Sequence, residues 1–137
     1  MKKPENVCFV LTLLLASAAA IFAADGSWLQ RVPTIERHRV DPYDNQPQAI
    51  AAGKFLFAEH CAQCHGSDAR GRRGHPDLRS GRVVQATDGE LAWLLRNGSL
   101  AKGMPSWGTL PEPERWQIIA FLRSLPRDAG PVRVACH

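Results

Sequence analysis

A chain of 137 residues, 45% hydrophobic and 22% charged, has room for one packed domain and excludes both a large multi-domain enzyme and wholesale disorder. Ten prolines and eleven glycines imply long loops between few regular elements. A net charge of +4 is too weak to argue for nucleic acid as a partner.

Met1 to Ala24 reads as an export signal. Lys2 and Lys3 form a positive start, and Val7 to Ala24 run for eighteen residues without a charge before closing in small residues. Cleavage fits after Ala20, Ala23 or Ala24. The alternative is an uncleaved anchor, because eighteen apolar residues just span a bilayer. Either way the remainder is expected outside the inner membrane, in the periplasm. Residues 25–45 are polar, carry Pro33 and Pro42 and show no hydrophobic period. They are expected to form an extended arm around a packed domain over 46–126, with a tail over 127–137.

Helical periodicity recurs three times. From Gln46 to His60, Ile50, Gly53, Leu56 and Phe57 share one face. Asp44 or Asn45 is the expected cap, with Pro47 in the first turn, where its missing N–H is not needed. From Asp88 to about Asn97 the stripe is Leu91, Leu94 and Leu95; Thr87 and Glu90 form a capping box, and Asn97-Gly98 is the stop. From about Glu112 to Leu125 the stripe is Ile118, Phe121, Leu122 and Leu125, ended by Pro126. No segment alternates with a period of two, so the expected fold class is all-α. Three short helices make a meagre core, and a domain this small calls for a disulfide, metal or cofactor to complete its interior.

The four cysteines lie at positions 8, 61, 64 and 136, and Cys61-Ala62-Gln63-Cys64-His65 has the spacing of covalent c-type haem attachment. Two thiols on one turn add to the two vinyl groups, and the next imidazole comes to the iron. A thioredoxin-like redox pair would want a preceding strand, and a zinc site would need two more ligands at matching spacing. Apart from the initiator, Met104 is the sole methionine. It sits in the loop Gly103-Met104-Pro105-Ser106-Trp107 and is the expected sixth ligand, with His75 as the alternative. Met/His ligation raises the potential and closes the iron to small molecules. Trp107 and Trp93 are expected in the haem pocket or core, and His60 on the solvent side of its helix. Arg70, Arg72, Arg73, Arg79 and Arg82 crowd the loop after the motif. They are read either as a solvated loop or as one or two propionate partners with the rest forming a basic docking rim.

With these residues in view, the segment from about 47 to 126 resembles the class I c-type cytochromes. Gly53 and Phe57 match the glycine and aromatic of that family's first helix, and Phe121-Leu122 the aromatic-Leu pair of its last. Pro76-Asp77-Leu78 resembles the loop whose proline carbonyl accepts the proximal imidazole N–H and whose leucine packs on the haem. His75, before Pro76, stands where a glycine is common. The interval of 39 residues from His65 to Met104 is similar to that of compact bacterial members. The resemblance implies a fold of three main helices and long loops wrapped around one covalent haem c.

The expected function is therefore one-electron transfer with redox partner proteins (an oxidase, dehydrogenase or reductase), with no substrate transformed and no nucleic acid bound. A membrane association is expected only if the leader stays uncleaved. The alternative is the haem subunit of an oxidase or dehydrogenase complex. A peroxidase-like or gas-binding protein would want an open sixth position and a distal base, and no such base is evident.

Overall fold

A computed structural model describes residues 26–127; the leader, Cys8, Cys136 and the tail beyond Arg127 lie outside the described residues. In chain order these residues form a 3-10 turn at Ser27–Arg31, then α1 (Thr34–Arg37), α2 (Pro47–His60), α3 (Ala62–His65), α4 (Gly81–Gln85) and α5 (Asp88–Asn97). A second 3-10 turn at Leu100–Lys102 and α6 (Glu112–Ser124) complete them. There is no strand among the described residues, only an isolated bridge between Ser99 and Met104. The expected all-α class holds.

The helix pair α2 and α6 forms the frame. A Cβ at Gly53 would lie 1.8 Å from the Gln117 carbonyl oxygen, so the two backbones approach as closely as they do because residue 53 has none. Phe57 and Phe121 meet beside that crossing with ring centroids 5.4 Å apart. A second cluster joins α5 to α6 through Leu91, Leu95, Trp116, Ile118 and Ile119. Arg123 of α6 ties that helix to the start of α5 and to the segment ahead of it. It donates to Asp88 at 2.8 Å, to the Val83 carbonyl at 3.2 Å and to the Ala86 carbonyl at 2.5 Å.

The helix ends follow local chemistry. Thr87 Oγ1 accepts from the Glu90 amide at 3.2 Å while Glu90 accepts from the Thr87 amide at 2.8 Å, the expected capping box. Two ends differ from expectation. Neither Asp44 nor Asn45 caps α2: its N-cap is Gln46, which makes no side-chain cap bond. Asn45 is turned into the left-handed region at φ 58°, and its amide is engaged by Asp44 at 2.7 Å. Helix α6 stops one residue early, with Leu125 extended at ψ 142°, because a residue ahead of proline is pushed out of the helical region.

Residues 26–45 are not extended. They coil into the first 3-10 turn, α1 and a turn at 42–45, and the guanidinium of Arg37 holds this shape. It donates to the Leu29 carbonyl at 2.6 Å, the Val32 carbonyl at 3.2 Å and Glu90 at 3.0 Å. A segment without hydrophobic period still coils when one side chain gathers its carbonyls.

Candidate haem site

The frame borders an open cavity of about 640 Å³ with a mainly apolar wall, within the range of about 300–1,000 Å³ typical of cofactor sites. Cys61, Cys64, His65, Pro76, Leu78, Met104 and Trp107 all line it. Sequence positions 61 and 107 are thus brought to one space, with Ile118 and Ile119 of α6 behind them.

The His65 end is built by a loop that folds back on itself. The Gly71 amide donates to the His65 carbonyl at 2.8 Å and the Leu78 amide to the Ala69 carbonyl at 2.8 Å. These bonds bring the Pro76 carbonyl to 3.1 Å from His65 Nδ1. A carbonyl only accepts, so the proton sits on Nδ1 and the lone pair on Nε2. Burial holds the His65 imidazole below its usual range, opposed by the Pro76 carbonyl and reinforced by His75. A neutral imidazole with its tautomer fixed is what metal ligation requires. The His75 ring stands 6.1 Å from that of His65, edge to face, so His75 lies on the same side as His65. Burial also pushes the Cys61 thiol up to about 11, with Cys64 adding to the shift, and the two cysteines are not joined to each other.

The Met104 loop is pinned to the end of α5. The last carbonyls of a helix lack partners within it, and here the loop supplies them. Gly98 N donates to Leu94 at 2.6 Å, Trp107 N to Leu95 at 2.8 Å, and Ser106 Oγ to Arg96 at 2.5 Å. Ser99 and Met104 exchange two backbone hydrogen bonds of 2.9 and 3.1 Å. Gly98 takes φ 69°, and a Cβ there would lie 2.6 Å from Pro105. Met104 is therefore held by backbone geometry on both sides.

Three expectations need correction. His60 does not face solvent: it lines the cavity and packs on Trp107 with centroids 5.1 Å apart. The last turn of α2 rotates it inward, beside Cys61. Trp93 is on another face, under the Arg31 guanidinium at 5.9 Å. Arg82, alone of the five loop arginines, lines the cavity, in keeping with one or two of them reaching it; the departure is at Arg79. Arg79 instead donates to the Pro126 carbonyl at 2.8 Å, fastening the loop to the chain after α6. Among the cavity residues that escaped the sequence reading are Lys102 and Trp28. Lys102 ends the short turn Leu100–Lys102, which carries no motif, and Trp28 lies in the arm, where a large aromatic in a polar segment was the available signal.

The donor set and the cavity fit a haem c. Residues 48–122 match the family described as cytochrome C oxidase, cbb3-type, subunit III. The chain belongs to this family. Within it, the domain is 66% identical over 75 residues to the Cbb3-type cytochrome c oxidase subunit CcoP of Rubrivivax gelatinosus, covering 54% of this chain and 25% of that protein. It is also 29% identical over 107 residues to a thiosulfate dehydrogenase of Stutzerimonas stutzeri, covering 68% of this chain and 34% of that one. Among solved structures, cytochrome CL of Methylophaga aminisulfidivorans superposes with a TM-score of 0.56 at 28% identity, covering 64% of this chain and 59% of that one. The chain thus spans 25% to 34% of the length of these two curated relatives. The fold is that of a class I c-type cytochrome, and the cytochrome c domain is an electron-transfer domain.

Proposed function

We propose that this domain carries one haem c, bound through Cys61 and Cys64, with His65 and Met104 as axial ligands, and passes single electrons between periplasmic redox partners. The observation that carries the reading is the meeting of the Cys61–His65 turn and Met104 at one apolar cavity. When bound, haem c supplies a one-electron ferric/ferrous couple. The chain's own residues do the rest. Pro76 fixes the His65 tautomer and ring orientation through the 3.1 Å bond. The thioether of Met104, a soft donor, favours the reduced metal and raises the potential. Leu78, Trp107, Ile118 and Ile119 keep water from the cavity and so lower the local dielectric. Arg82 and Lys102, at the same cavity, supply positive charge for the propionates. The match to a cytochrome c family supports transfer as the role.

A second reading is favoured by the 66% identity to an oxidase subunit: the same domain serves as a haem subunit of an oxidase complex, held there by its partners or by an uncleaved leader. Fractionation separates the two. Release with the soluble periplasmic proteins supports the carrier, and co-purification with a membrane oxidase supports the subunit.

Ferric and ferrous visible spectra test the haem assignment. Denatured protein should keep its haem through extraction into acidified organic solvent, and Cys61→Ala or Cys64→Ala should leave one thioether and lower holoprotein yield. Met104→Ala should abolish the weak sulfur-to-iron band, lower the potential and admit carbon monoxide. A Met104→Ala protein with the parent spectrum that still excludes carbon monoxide would assign the ligand elsewhere, and not to His75, which stands on the His65 side.

A further inference from the structure

The arm before α2 lies outside the segment that matches the family, residues 48–122, yet it reaches the cavity. Gly26, Ser27 and Trp28 are part of the cavity wall, and Trp28 packs against the cluster of Leu91, Leu95, Ile118 and Ile119. The arm's start rests on Arg82, whose Cγ lies 3.3 Å from where a Gly26 Cβ would be, and Arg82 lines the same cavity.

The arm is held in that place by specific contacts. Arg37 gathers the Leu29 and Val32 carbonyls at 2.6 and 3.2 Å and bonds Glu90 at 3.0 Å. The other carboxylate oxygen of Glu90 caps α5 through the Thr87 amide, so the clamp ends on a fixed point of the core. Helix α1 sits directly on α5: a Cβ at Gly89 would lie 1.8 Å from the Glu36 carbonyl oxygen. Arg96 adds a bond to Glu36 at 3.4 Å.

Resting on the haem reading above, we propose that Trp28 is a positioning residue of the redox site: the arm lays its indole over the cavity as a wall, and Arg37 holds the wall in register. An apolar wall excludes water and lowers the dielectric around the iron, which disfavours the more highly charged ferric state. Loss of the indole lets water in and stabilises the ferric state.

The test uses the haem-loaded full chain. Trp28→Ala should lower the reduction potential and speed cyanide binding to the ferric protein several-fold, with the sulfur-to-iron band retained. Trp28→Phe should restore most of both. Arg37→Ala should shift both in the same direction, and in a Trp28→Ala background it should add little, because it acts through the indole. Ile35→Ser, on an arm residue that is 78% exposed, should change neither. If Trp28→Ala loads too little haem, Trp28→Leu, a smaller apolar wall, carries the same comparison. Unchanged potential and cyanide rate in a haem-loaded Trp28 variant overturn the arm's role and leave the haem reading intact. A parent chain that attaches no haem overturns both.

Discussion

Asp41 shows how one side chain sets a condition on the arm. It is 4% exposed, its Oδ1 accepts the Tyr43 amide at 2.8 Å, and its Oδ2 has no hydrogen-bond partner among the described residues. Burial pushes its carboxyl up to about 6; the Tyr43 amide and Arg123 oppose the shift, while Asp88 and Asp44 add to it. A carboxyl with a raised folded pKa gives its full contribution below its unfolded value of about 4 and loses it as pH rises through about 6. Stability should therefore fall between pH 4 and 6 from this group. Asp41→Asn, which removes the buried charge, should flatten that slope and stabilise the protein at pH 7 by about 1 kcal/mol. Denaturant midpoints across the pH range check it; an unchanged slope would place the pH dependence elsewhere. At the same scale, His65 shows how one backbone carbonyl decides a tautomer: the residue type was legible from the motif, and the bond that its Nδ1–H donates to the Pro76 carbonyl depends on the loop's path.

At the scale of elements, the crossing of α2 and α6 is the joint on which the cavity depends. The crossing brings the Cys61–His65 turn, which follows α2, to the same cavity as Ile118 and Ile119 of α6. Gly53→Ala puts a methyl where the Gln117 carbonyl lies 1.8 Å away, so the helices must separate. Overpacking of this kind costs about 1–3 kcal/mol or more. Loss of thermal stability of at least this size is expected, with haem still attached, since no cysteine is touched. Stability equal to the parent would mean that the crossing relaxes freely. The Met104 loop behaves differently, because its bonds to Leu94, Leu95 and Arg96 satisfy helix carbonyls that would otherwise face water or go unpaired. Thr87→Ala at the other end of α5 should cost about 1 kcal/mol by loss of the cap, and should leave the ligand spectrum unchanged. A disturbed spectrum would show that α5 carries strain through to Met104.

For the whole molecule, the distribution of charge matters more than its sum. The net charge of +4 is modest, but Arg82 and Lys102 stand at the cavity and Arg70, Arg72 and Arg73 are exposed in the loop after the Cys61–His65 turn. Electron exchange with an acidic partner should slow as salt rises, because exposed charges are screened within about 8–10 Å near physiological ionic strength. Stopped-flow rates across ionic strength measure this, and a salt-independent rate would remove electrostatic docking. No helix among the described residues is long and apolar enough to cross a membrane.

The spacing Cys61-x-x-Cys64-His65, the lone loop methionine and three 3.6-residue stripes were enough to read an all-α haem domain, because each is local chemistry: two thiols and an imidazole on one turn, or one apolar face per helix. The capping box of α5 was legible for the same reason, its two partners being three residues apart. What required the tertiary structure was contact between distant segments. The arm read as extended because its sequence has no hydrophobic period, and its coil is imposed by Arg37 reaching Glu90, 53 positions away. His60 turns inward because Trp107 is there to receive it, and Arg79 leaves the basic rim because the Pro126 carbonyl lies within its reach. Periodicity reports which face of a helix is apolar; it carries no record of which far carbonyl or ring will come to meet a long polar side chain.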